Sequence, residues 1–166
     1  MIKFLNLGLQ PLANSYLNKK NLNHKEKKFK LEVAFNKKNY LVSIVNTVPK
    51  EKMFNNMYPY KSSESKTMRK SFKDLTTKVK KRFKPNFIIE IGSNDGVFMK
   101  NFNKKNIVGV EPCKNLAKLT KNINYTTYSE YWSMKLARKI TINKKAELIY
   151  SANTLSHIKS LNEIIS

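Results

Sequence analysis

Short apolar runs alternate with amphipathic segments along the last half of the chain. The run at 87–91 is continuous and contains β-branched residues, which is typical of a strand that is buried on both faces of a parallel sheet. The predicted strands are 87–91, 107–110, 123–126 (the weakest) and 147–150. The predicted helices between them are 115–122 and 130–140, and Ser160 is the predicted N-cap of a last helix. Strands that alternate with helices predict an α/β fold with right-handed crossovers.

A single amphipathic helix is predicted before this region. Apolar residues follow one another at steps of four, three, four and four from Met68 to Phe83, which places them on one helical face. Ser62 or Ser63 is the predicted N-cap, and Pro85 ends the helix.

The first part of the chain predicts a small β-containing unit. Residues 31–35 alternate between apolar and polar, 40–45 form a second strand candidate, and 36–39 form a hairpin loop in which asparagine tolerates left-handed backbone angles. The predicted organisation is therefore 1–57 as the N-terminal unit, 58–86 as a linking turn and helix, and 87–166 as the α/β domain.

Composition narrows the functional classes. The 33 basic residues exceed the 11 acidic ones and give a net charge of +22, but only three of the basic residues are arginines. Lysine is frequent together with asparagine and isoleucine, and all three are encoded by A/T-rich codons, so a codon bias can explain the excess of lysine. We therefore expect weak polyanion binding and no specific nucleic-acid partner. No run is long enough to span a membrane. Cys113 is the only cysteine, which excludes an internal disulfide and a thiolate-rich metal site and favours a cytoplasmic location.

Two acids and a glycine turn are the candidate chemistry. Glu90 ends one predicted strand, the turn 92–96 follows it, and Glu111 ends the next strand. In open α/β sheets the ligand lies beyond the carboxyl ends of the strands, and an acid in the position of Glu111 accepts hydrogen bonds from a ribose diol. Acids would repel a pyrophosphate, so the residues favour a cationic nucleoside such as S-adenosylmethionine; a turn without any ligand is the alternative.

The same residues belong to motifs that occur in a fixed order. The motifs are LGLQPLANSYL at 7–17, YPYKSSES at 58–65, EIGSNDG at 90–96, VEP at 110–112 and SANTLSHI at 151–158. Together they resemble the class I S-adenosylmethionine-dependent methyltransferases that C-methylate nucleotide-linked keto-deoxysugars. The resemblance implies a Rossmann-like sheet, here incomplete, preceded by a small β-containing unit.

The resemblance also implies roles for individual residues. Three residues would act in catalysis: Tyr58, Tyr60 and His157, the last as a proton-transfer or enolate-orienting group. The alternative is that His157 is a structural histidine at the start of a helix, with its hydrogen bonds made within the protein. The residues that would bind S-adenosylmethionine are Glu90, Gly92, Ser93, Asn94, Asp95, Gly96, Glu111, Pro112 and Asn153. Ser62 and Ser63 would line the side that takes the nucleotide-linked sugar.

The chain departs from the family pattern in two regions. The family carries an N-terminal zinc module, but Asn36 and Asn39 occupy the positions of its second cysteine pair, so the zinc site is expected to be lost and no metal is predicted. The later strands and the later catalytic segment of the family do not follow the fourth strand here, so the chain is expected to be truncated.

These departures leave three functional alternatives open. The first is a transferase of one-carbon groups in deoxysugar biosynthesis. The second is a non-catalytic relic, or one part of a split methyltransferase that needs a C-terminal companion polypeptide, so whether this chain alone is an active enzyme is left open. The third is a basic nucleic-acid-binding protein.

Overall fold

A computed structural model of the chain describes residues 1–158 and Ile165. The chain divides into two compact units, Met1–Phe54 and Asn55–Ser166, which are described separately. The predicted helix cap at Ser160 lies outside the described residues. Within the described residues, no helix combines the length and the apolar character needed to cross a bilayer.

The first unit is a three-stranded antiparallel sheet in the order β1-β2-β3. Its strands are β1 (Ile2–Pro11), β2 (Lys28–Phe35) and β3 (Val42–Ile44), and a short helix α1 (Lys50–Met53) follows them. The alternation at 31–35 correctly indicates β2. The second strand is shorter than predicted because Tyr40 takes a left-handed φ of 59°, which extends the hairpin turn.

The second unit contains a four-stranded parallel sheet in the order β6-β5-β4-β7. Its strands are β4 (Ile88–Ile91), β5 (Ile107–Val110), β6 (Thr126–Tyr128) and β7 (Leu148–Ser151). Its helices are α2 (Lys66–Phe83), α3 (Lys114–Lys121) and α4 (Met134–Ile140). The predicted α/β class, with a small β unit before a parallel sheet, is confirmed.

Hydrophobic residues cover both faces of β4. Ile88 joins a cluster with Phe72 of α2 and Phe98, whereas Ile89 and Ile91 join Leu136 of α4 in a second cluster. Successive side chains of a strand point to opposite faces, so β4 is buried on both sides. The carboxyl end of β4 is thereby fixed in the centre of the sheet.

Two local predictions are wrong. Ser65, and neither Ser62 nor Ser63, caps α2: its Oγ accepts a hydrogen bond from the backbone N–H of Met68 at 3.2 Å. The strand predicted at 123–126 lies later in the chain, at β6, because Asn124 takes a left-handed φ of 64° in the turn after α3.

Candidate functional site

The turn after β4 has the tight geometry that its glycines predict. Gly92 and Gly96 have φ values of +73° and +83°, which L-residues with side chains rarely adopt. The backbone N–H groups of Gly92 and Ser93 both donate to the carbonyl of Val110, at 2.8 and 3.1 Å. A Cβ on Gly92 would stand only 2.1 Å from Oγ1 of Thr154. The ends of β4, β5 and β7 therefore meet at this turn.

Glu111 holds the turn through both of its carboxylate oxygens. Oε2 accepts a hydrogen bond from the backbone N–H of Asn94 at 2.8 Å, and Oε1 accepts one from Cys113 at 2.8 Å. Burial is the largest influence on this carboxyl and raises its pKa, against the lowering effect of those two donors. The thiol of Cys113 also hydrogen-bonds this carboxylate. Two carboxylate oxygens accept about four hydrogen bonds, so Glu111 retains capacity to accept from a ribose hydroxyl.

Glu90 is a buried carboxyl without a complete set of hydrogen bonds. Its exposure is 4%, and its Oε2 has no hydrogen-bond partner among the described residues. It pairs in register with Gly109 of β5 and Tyr150 of β7. Burial raises the pKa of Glu90 well above its usual value, and the charges of Glu111 and Asp95 raise it further.

A second buried polar atom without a partner lies in the same turn. Ser93 is 2% exposed, and its Oγ finds no hydrogen-bond partner in the described part of the chain. Gly109 makes room for it, because a Cβ there would stand 2.8 Å from this Oγ. Buried polar atoms without partners are uncommon and often mark a place where a ligand or an ordered water binds.

The segment 58–63 is bound to the turn by its backbone. Asn94 accepts from the N–H of Ser62 at 2.9 Å and donates to the carbonyl of Tyr60 at 3.2 Å. Asp95 accepts from the N–H of Ser63 at 3.2 Å. The side chains of Asn94 and Asp95 are therefore engaged with this segment, in addition to the cofactor role predicted for them.

Asn115 attaches the beginning of the same segment. Its side-chain amide, in the first turn of α3, donates to the carbonyl of Tyr58 at 2.8 Å, and its Oδ1 is buried without a partner in the described residues. Sequence reasoning missed Asn115 and Thr154. Only the position of Asn115 just after the second parallel strand could have indicated it, and no local pattern indicates the contact of Thr154.

The remaining predicted site residues lie on segments that follow β5 and β7. Pro112 is half-buried directly after Glu111. Asn153, exposed and left-handed with a φ of 53°, and His157, exposed in a short 3-10 helix at Leu155–His157, follow β7. Tyr60 is 47% exposed and Tyr58 is half-buried. The predicted residues thus lie at the carboxyl edge of one sheet or on the segment bound to it, and their individual roles stay predictions.

The residues expected to replace the zinc ligands close the hairpin loop of the first unit. Oδ1 of Asn36 accepts from the N–H of Lys38 at 3.0 Å, and Oδ1 of Asn39 accepts from Leu41 at 3.2 Å. These are Asx turns, which stabilise a loop without a metal. Residues 1–158 and 165 contain no group of three or more His, Cys, Asp or Glu side chains able to hold a metal ion. The donor set therefore does not fit zinc.

Two comparisons with known proteins return matches. Residues 1–54 match the family model Methyltransf_13, described as "Putative zinc binding domain". The solved structures that match include Streptomyces venezuelae DesVI, with 14% sequence identity and a TM-score of 0.46, over 60% of this chain and 43% of that chain. This chain therefore spans less than half the length of that protein. No curated protein matches the sequence. The resemblance to the sugar C-methyltransferase family is confirmed through the N-terminal region, residues 1–54, which match its zinc-binding domain.

Proposed function

We propose that this chain binds S-adenosylmethionine at the turn 92–96 and takes part in methyl transfer to a nucleotide-linked keto-deoxysugar. One observation carries the proposal: three buried carboxyl groups, on Glu90, Asp95 and Glu111, surround the glycine turn at the carboxyl edge of the sheet. The family resemblance supports methyl transfer in general terms. The cofactor and the sugar substrate are the parts that the proposal adds.

The carboxyl edge of the sheet carries acidic groups, whereas the chain as a whole has a net charge of +22. The ion pairs of the described residues join lysines to Glu32, Glu64, Glu130 and Glu147, and none involves the three carboxyls of the turn. The three carboxyls do not form a metal-ion cluster within the described residues. Buried carboxyls without basic partners favour an organic cation. S-adenosylmethionine carries a sulfonium and an ammonium group on a nucleoside.

The residues of this edge divide between the parts of the cofactor. Glu111 would hold the ribose, with Pro112 beside the adenine, and Glu90 and the turn 92–96 would surround the methionine part. Asn153 would face the sulfonium. When bound, S-adenosylmethionine supplies an electrophilic methyl group.

The sugar would bind on the side of the segment 58–63. Ser62 and Ser63 would contact the nucleotide-linked sugar, and Tyr58, Tyr60 and His157 would orient it. His157 would either transfer the proton next to the ketone or orient the enolate that loss of this proton leaves. Asn94 and Asp95 accept hydrogen bonds from the backbone of this segment, and Asn115 donates one to it. These bonds support the arrangement, since they attach the segment to the cofactor turn and to α3.

Calorimetric titration of the chain with S-adenosylmethionine tests the proposal. We expect saturable binding that weakens about tenfold or more in Asp95→Ala and in Glu111→Ala, because each removes a buried carboxyl from the turn. Asp74→Asn is the matched control, because Asp74 is exposed on α2 and should leave the affinity unchanged. Absence of binding by the unaltered chain would refute the proposal.

A split or relic enzyme is the second alternative that the sequence leaves open. It predicts binding of S-adenosylmethionine without turnover of any nucleotide-linked sugar by the isolated chain. In that case a C-terminal companion polypeptide would supply further catalytic residues. Nucleic-acid binding is not part of the proposal, and a cytoplasmic location stays a prediction from the sequence.

A further inference from the structure

We propose that the site carries a proton on Glu90 when it is empty, and that a ligand's positively charged group displaces this proton when it binds. This inference rests on the proposed function and extends it, because it states how binding at the same site depends on pH. It also specifies that the ligand must carry a positive charge near Glu90.

The geometry around Glu90 supplies the first argument. Glu90 is 4% exposed, its Oε2 has no hydrogen-bond partner among the described residues, and the Oγ of Ser93 nearby is a second such atom. A backbone hydrogen bond from Met99 favours its charged form, and burial acts more strongly against that form. A buried carboxylate in such surroundings is costly unless a cation or a proton neutralises it.

Among the residues that the structure describes, the groups that face Glu90 offer it no positive charge. Glu111 and Asp95 lie close enough for their charges to act on it, and Tyr150 of β7 lies beside it in the sheet. Burial, together with the charge of Glu90, raises the pKa of Tyr150 to about 12, so this phenol is neutral near pH 7. Gly109, the neighbour on β5, carries no side chain. A proton is therefore the cation available to the empty site.

Binding replaces one cation by another. The neutral carboxylic acid of Glu90 transfers its proton to the buffer base, and the resulting carboxylate faces the ammonium or sulfonium of the ligand. No other bond forms or breaks. The raised pKa of Glu90 agrees with a protonated empty state. Affinity should then rise with pH, by up to about tenfold per pH unit, as long as the empty site is protonated.

Calorimetric titration with S-adenosylmethionine in phosphate, HEPES and Tris buffers at one neutral pH measures the released protons. The slope of the observed enthalpy against the buffer's ionisation enthalpy should show net proton release, of up to one proton per ligand bound. Glu90→Gln should give a slope near zero, because an amide has no proton to release. A ligand without the positive charges, 5′-methylthioadenosine, should also give a slope near zero with the unaltered chain.

The outcomes separate this inference from the proposed function. Binding of S-adenosylmethionine with a zero slope would overturn the inference and leave the proposed function standing. Absence of binding in every buffer would overturn both. If Glu90→Gln fails to fold or bind, the pH dependence of affinity in the unaltered chain decides instead: a rise with pH supports the inference and a flat profile overturns it.

Discussion

Gly92→Ala tests whether the turn after β4 has the described geometry. Two separate costs follow from the structure. The φ of +73° is a left-handed conformation, which costs a residue with a Cβ about 1–2 kcal/mol. The new Cβ would also stand 2.1 Å from Oγ1 of Thr154, and overpacking of this kind costs about 1–3 kcal/mol. The substitution should therefore lower the free energy of unfolding of the second unit by about 2–5 kcal/mol.

Thr154→Ala separates the two costs. It removes Oγ1 and Cγ2, the two side-chain atoms nearest to the new Cβ, at 2.1 and 2.9 Å, and leaves a Cβ at 3.0 Å. In this background Gly92→Ala should cost mainly the conformational part, about 1–2 kcal/mol, because the one remaining contact, at 3.0 Å, needs only a small shift of residue 154. The coupling between the two substitutions should thus be about 1–3 kcal/mol.

Urea unfolding followed by tryptophan fluorescence measures the four free energies of this cycle. Trp132 is the only tryptophan and packs against the core of the second unit, so the signal reports on that unit. An equal cost of Gly92→Ala in both backgrounds would contradict the contact with Thr154. A cost well below 1 kcal/mol would contradict the left-handed turn itself.

Three further substitutions or treatments test the charges and the metal-free loop. Because the pKa of Glu90 is raised in the folded chain, the unaltered chain should lose stability as pH rises above 4.5 towards that pKa. Glu90→Gln should therefore become more stable relative to the unaltered chain as pH rises. Equal urea midpoints of the two chains at all pH values, measured by Trp132 fluorescence, would contradict this. The pKa of Glu32 in the first unit is lowered, chiefly by its hydrogen bond with Lys30, so its stabilising contribution is present above pH 4.5 and is lost as pH falls through the lowered value. Glu32→Gln should therefore speed amide hydrogen exchange in β2 at neutral pH and have little effect in acid; no change at neutral pH would refute its stabilising role. EDTA should leave amide exchange in the first unit unchanged, because Asx turns and no metal close its hairpin loop. Faster exchange together with the release of zinc would contradict this.

The elements of the second unit could be predicted because local pattern and burial agree there. The apolar runs that became β4 and β5 are largely buried in a parallel sheet, and the apolar stripe from Met68 to Phe83 became α2. The run that became β7 pairs with β4 at the edge of the sheet, where Ile149 is exposed. The two acids and the glycine turn came together because strand ends of a parallel sheet meet at one edge.

The helix cap and the contact that the sequence did not indicate both depend on residues that are far apart in the chain. Three serines at 62, 63 and 65 are equally good local caps for α2. The N–H groups of Ser62 and Ser63 instead bind Asn94 and Asp95, 32 residues away, which leaves Ser65 as the cap. The approach of Thr154 to Gly92 is likewise a tertiary contact that no local pattern encodes.

Photochemical crosslinking with S-adenosylmethionine that carries a radioactive methyl group tests the central claim most directly. Trypsin would release the turn after β4 in the peptide 83–100 and Glu111 in the peptide 106–114. The account predicts label in these two peptides, and competition by an excess of unlabelled S-adenosylmethionine. Label confined to peptides that contain none of Glu90, Glu111 and Asn153, or label that the excess does not reduce, would contradict a cofactor site at the carboxyl edge of this sheet.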